Sequence, residues 1–124
     1  MNLREIDRLV AEKVMGWKVS KGRSGLEWYE ANENGKFEFI RSVTDFEPST
    51  DIRDAWQVVE KMREGKIFSL CDAWDENDEP IFYANFQYND GYHVVNYDAY
   101  AETAPLAICL AALEACGIEV GGTG

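Results

Sequence analysis

The segment Tyr92-His93-Val94-Val95-Asn96-Tyr97-Asp98 interleaves aromatic rings with hydrogen-bonding groups. A plain structural strand does not require that mixture. It leads into a helix start at Thr103, where free backbone N–H groups and a partial positive charge suit a phosphate. Phe86 or Tyr97 offers a ring to stack on a base. Asn96 can read a base edge, and Asp98 can accept from ribose hydroxyls. Together these residues describe a pocket for a small nucleotide. Each also has a plain structural use: Phe86 in a core, Asn96 and Asp98 at a strand end, Thr103 as a helix cap.

Other chemistry is thin. No Gly-x-Ser-x-Gly, His-Glu-x-x-His or phosphate-cradling Gly-rich loop occurs. The one histidine, His93, has no Cys or Ser near it in sequence. The acidic run Asp72 to Glu79 offers oxygen ligands but lacks the calcium-loop pattern, so it reads as a solvated turn and no metal is expected. Cys71, Cys109 and Cys116 are odd in number, without C-x-x-C spacing, and read as buried core thiols. No catalytic residue and no cofactor is assigned, and the chain reads as a binding protein.

Three helices must position these groups. The first spans about Asn2 to Met15, with Leu3, Ile6, Leu9, Val10 and Val14 at helical spacing and Gly16 as the stop. The second follows Pro48-Ser49-Thr50-Asp51, with an apolar stripe of Ile52, Ala55, Trp56, Val59 and Met62. The third starts at Thr103 and runs to Gly117. It is apolar all round except for Glu114, so it must be buried all round. A subunit interface and a place between the sheet and another helix of the same chain both satisfy that demand.

Short strands fill the gaps. Trp17-Lys18-Val19, Glu27 to Glu30 and Phe37 to Ile40 precede the second helix, with Asn34-Gly35 as a hairpin turn. Ile67 to Trp74, Ile81 to Gln87 and Tyr92 to Tyr97 follow it as an antiparallel meander. On the middle strand, Phe82, Ala84 and Phe86 face one way. The expected class is α+β: a three-layer α/β/α-like sandwich with a mainly antiparallel sheet and three helices.

The balance of charge narrows the partners. Twelve basic residues against 23 acidic ones leave a net charge of −11 over 124 residues. That surplus repels a nucleic-acid polymer, though it leaves room for one small nucleotide enclosed in a pocket. Hydrophobic residues make up 46 %, too many for a disordered acidic tail. The apolar run Ala104 to Leu113 is too short to span a bilayer, so no membrane partner is expected. With no apolar signal core at the N-terminus, one cytoplasmic domain over residues 1–124 is expected.

Three pieces of the chain resemble a known family. They are Val10 to Trp17, Pro48 to Lys61 with Ala55-Trp56, and Glu102 to Leu113. Jointly they are similar to the phage ABA sandwich domain, which implies a sheet between helical layers. The resemblance extends to its anti-Thoeris group of nucleotide sponges. Those proteins sequester cyclic ADP-ribose isomers made by bacterial immune enzymes, without cleaving them, and work as homo-oligomers. It implies ligand contacts at Phe86, Asn96, Asp98 and Thr103, with Met15 and Trp17 as pocket walls. The sponges also hold phosphates with arginines on the last helix. Here Cys109, Leu110 and Leu113 stand in that region, which leaves Arg53, Lys61, Arg41 or the helix start for the phosphate. Two other readings stand beside the sponge. One is an accessory protein that binds a host protein through its acidic surface. The other is a nucleotide-directed enzyme using Asp98 and His93.

Overall fold

The computed structural model describes residues 2–118. Asn2 caps the first helix, α1 (Leu3–Leu9), by accepting the Glu5 N–H at 2.9 Å. The helix continues as a wider π turn over Val10–Val14. Val10, Ala11 and Val14 turn inward from it, at a spacing that a regular helix also gathers on one face. Gly16 ends it at φ +76°, a conformation that favours glycine.

The strands β1 (Lys18–Lys21), β2 (Glu27–Glu33) and β3 (Lys36–Ser42) form one antiparallel sheet in chain order. Asn34 and Gly35 both take positive φ, as a two-residue turn of the I′ type requires. The helix α2 (Ile52–Met62) starts at Asp51, whose Oδ1 accepts from the N–H groups of Arg53 and Asp54. The strands β4 (Ile67–Trp74), β5 (Pro80–Asn89) and β6 (Val94–Ala101) form a second antiparallel sheet with β5 in the middle. The helix α3 (Ala104–Ala115) closes the fold.

This is the expected α+β sandwich with three helices, and its strands divide into two three-stranded sheets. The helices α2 and α3 pack against one face of the second sheet, and the N-terminal helix packs on α2 and α3. The first sheet joins the same core through Tyr29, against Trp17 and Phe46. The apolar helix α3 finds its cover within its own chain, against β5, β6, α2 and the N-terminal helix. Ala107, Ile108, Cys109, Ala111, Ala112 and Leu113 are buried there, so the intrachain alternative accounts for its composition. No helix among the described residues is long and apolar enough to cross a membrane.

The cysteines divide differently from the sequence reading. Only Cys109 is buried. Cys116 lies just past the end of α3, and Cys71 lies on β4 where no helix covers it. Burial pushes the Cys109 thiol well above its ordinary range and raises Cys116 less strongly. A thiol reagent at pH 8 is expected to label Cys71 and Cys116 in the native protein and Cys109 only after denaturation. Peptide mass spectrometry reads the order. Native labelling of Cys109 at the rate of Cys71 would contradict this packing.

Candidate functional site

The second sheet has two unlike faces. Side chains alternate along each strand, so the register sets which residues meet. Phe68, Phe86 and Tyr97 share the inner face, as do Ala84 and Ala99. The outer face carries Ser69 and Cys71 from β4, Tyr83 and Asn85 from β5, and Asn96, Asp98 and Tyr100 from β6.

A hydrogen-bonded network occupies the middle of this outer face. The Tyr83 hydroxyl donates to Asp98 Oδ2 at 2.8 Å. Asn85 Nδ2 donates to Asn96 Oδ1 at 3.2 Å and lies 3.4 Å from the Tyr83 hydroxyl. The ring of Tyr100 lies 4.8 Å from that of Tyr83. Asn85 is only 5 % exposed, while Asn96 and Asp98 are open to solvent. The hydrogen bond to Asp98, aided by slight burial, holds the Tyr83 hydroxyl above the usual phenol range.

The last helix helps to set this geometry. Glu114, the charged residue inside α3, reaches the free edge of β6 and accepts the Asp98 N–H at 3.1 Å. A carboxylate there fixes the strand and blunts an open edge. The chemistry of the face follows from its groups. Asp98 accepts only, Asn96 keeps an amide donor, and the two tyrosines supply rings and hydroxyls. Such a face suits a neutral ligand rich in hydroxyls and amines, such as a ribose or a base edge. It presents no Lys or Arg among these residues, so it does not by itself balance a phosphate.

The expected site residues do not all meet on this face. Asn96 and Asp98 lie together on it, two positions apart on β6. Phe86 points to the opposite face, is 0 % exposed, and packs 5.1 Å from Phe68 in the core. Its odd–even position on β5 requires this, because Asn85 takes the outer face. Thr103 serves as the N-cap of α3, its hydroxyl accepting the Leu106 N–H at 3.4 Å. Met15 and Trp17 pack partly buried against the core beside the first sheet. Trp17 lies against Tyr29 and Phe46 at 5.6 and 4.8 Å.

Those two rings line a separate groove of about 670 Å³ between α1 and the ends of β2 and β3. Its carboxylates include Glu5, Asp7, Glu27 and Glu47. Asp7 accepts the Ser49 N–H at 2.8 Å, and burial pushes its carboxyl above the usual range. Arg8 on the same wall is tied to Glu27 at 2.9 Å.

The cations expected to hold a phosphate are each turned to a carboxylate. Arg41 meets Asp54 at 3.1 Å, Lys61 meets Glu64 at 3.2 Å, and Arg53 lies 3.7 Å from Asp51. In the acidic turn, Asp75 Oδ1 accepts from the N–H groups of Asn77 and Glu79, which accounts for an Asp at its start. His93 sits on an exposed turn, 3.1 Å from Asp90.

Tyr83 and Asn85 are the network members that sequence reasoning missed. Alternation had already placed them opposite Phe82 and Phe86. Pairing that face with Asn96 and Asp98 would have found them.

No curated protein and no solved structure matches the chain. A family model, the phage ABA sandwich domain, matches residues 8–113 and so takes in all six strands, α2 and most of α3. The chain belongs to the phage ABA sandwich domain family.

Proposed function

We propose that this phage-family protein binds and sequesters a small cyclic nucleotide signal, of the cyclic ADP-ribose isomer type, without cleaving it. The observation that carries this reading is the Tyr83–Asn85–Asn96–Asp98 network. It offers the acceptors and donors that ribose and base edges need, beside two aromatic rings. In this reading the protein is a trap and no residue acts as a catalyst. It works as a homo-oligomer, in keeping with the large apolar side chains it leaves exposed on both sheets, among them Phe37, Phe39, Tyr100 and Trp74.

Calorimetry with a panel of cyclic ADP-ribose isomers at about 50 µM protein tests the proposal, because a Kd near 1 µM corresponds to about −8 kcal/mol. The expected result is saturable heat, ligand recovered with unchanged mass, and about 10–100-fold weaker binding for Asp98→Ala, the loss of a charge-assisted hydrogen bond. Silence across the panel would sink the reading.

A second reading rests on the β4–β5 turn. It projects Asp75, Glu76, Asp78 and Glu79 beside Trp74, which is 72 % exposed. An acidic, aromatic projection suits a basic surface on a host protein. A silent panel together with salt-sensitive host-protein capture that Trp74→Ala abolishes would favour this second function.

A further inference from the structure

We propose that the groove between the C-terminal end of α2 and the start of β4 binds a nucleoside phosphate, with its base against Trp56 and its phosphate between Arg63 and Lys66. The proposal rests on the reading of this protein as a nucleotide binder. It gives a nucleotide a site at the edge of β4, apart from the outer-face network.

The groove measures about 430 Å³ and is lined by Trp56, Arg63, Lys66, Ile67 and Phe68. That volume falls within the range of small-molecule sites. Its charge is opposite in sign to that of the chain. Acidic residues outnumber basic ones by 23 to 12, so a groove whose only charged lining residues are two cations stands out from the rest of the surface. Arg8, Arg41, Arg53 and Lys61 each have an acidic partner within 4 Å. Arg63 and Lys66 form no ion pair among the described residues, and they flank one groove.

The aromatic part is anchored. Phe86 is fully buried, Phe68 packs on it at 5.1 Å, and Trp56 meets Phe68 edge-on at 6.1 Å. Trp56 thus keeps a fixed orientation while 45 % of it stays exposed. Its indole belongs to the apolar stripe of α2 by spacing, yet it lies at the rim of the core. The Lys66 ammonium lies 5.8 Å from the centre of the Tyr88 ring, a cation–π contact that holds it at the groove. The C-terminal carbonyls of α2 favour a nearby cation, which explains one basic residue at this place. They do not explain two cations and a half-exposed indole around one concavity. A planar base with a phosphate complements both features.

ADP and inorganic phosphate are the probes, titrated into the full chain at low salt by calorimetry, with tryptophan fluorescence in parallel. The wild-type protein is expected to bind ADP more tightly than inorganic phosphate. The double variant Arg63→Gln, Lys66→Gln should weaken ADP binding about 100-fold, roughly tenfold for each charge-assisted contact. Trp56→Ala should remove the fluorescence response. The charge-matched control Lys21→Gln, Lys36→Gln changes two exposed cations outside the groove and should bind ADP as the wild type does. Circular dichroism checks that each variant is folded.

No ADP binding, equal affinity for ADP and phosphate, or an unaffected Arg63/Lys66 variant would each overturn the proposal. If that variant loses ADP but still captures a cyclic ADP-ribose isomer at wild-type strength, the groove stands as a site of its own. If ADP occupies the groove while no cyclic isomer binds, the groove stands and the identity of the sequestered signal falls.

Discussion

Replacing Phe86 by alanine is expected to cost the folded state about 3–5 kcal/mol, the range for emptying a fully buried phenylalanine site. Phe86 sits on the central strand of the second sheet, excludes solvent completely and packs against Phe68. Its removal withdraws apolar area from the core and leaves a cavity that β5 and α3 cannot close without moving. Half-buried Phe82, on the same face, should cost clearly less. Urea denaturation of both variants reads the difference. A Phe86→Ala protein as stable as the wild type would contradict this packing.

The second large effect is expected at Asp54. One of its oxygens meets Arg41 at 3.1 Å and the other accepts the Glu47 N–H at 2.9 Å. The carboxylate thus ties the end of β3 and the approach to α2 into the first turn of that helix. Asp54→Ala leaves the Glu47 N–H and the guanidinium without their acceptor, at about 2–3 kcal/mol. Arg41→Ala should cost less. Its side chain retains 29 % of its exposure, whereas that of Asp54 retains 12 %, so water compensates more readily on the arginine side. Asp54→Asn keeps an acceptor for the N–H and should fall between them. Equal stability of Asp54→Ala and Arg41→Ala in urea would show that the backbone anchor adds nothing to the ion pair.

Local order was legible in the sequence because its signals are local. Asp51, Thr103 and Asn2 cap helices through atoms two or three residues away. Asn34-Gly35 forces its turn by backbone sterics alone. The β4 strand, Ile67–Trp74, follows from its own composition and the turn beyond it. What was not legible depends on which side of an element meets its neighbours. On α2 the pattern set the stripe as Ile52, Ala55, Trp56, Val59 and Met62; packing buries Ala55, Val59 and Met62, adds Val58, and leaves Ile52 and Trp56 about half exposed. The two larger residues fall at the rim because the helix rolls its small side chains toward α3. The same limit applies to the candidate site. Asn96 and Asp98 share a face by period two, whereas the partners of that face are fixed by a register that only the assembled sheet defines. The π turn at Val10–Val14 left no mark in the sequence, because its inward residues Val10, Ala11 and Val14 keep the spacing of a regular helix.

The pairing of strands also has a kinetic consequence. Every ladder in both sheets joins strands that are adjacent along the chain. Each sheet can therefore zip from its own turns, at the modest entropic cost of closing short loops. The distant contacts belong to the helical layer: Asp7 with the Ser49 N–H, and Cys116 against the Lys13 carbonyl. A newly made chain would thus assemble two hairpin sheets early and bring its two ends together late. The slow search in its folding is the docking of helices between parts that have already formed.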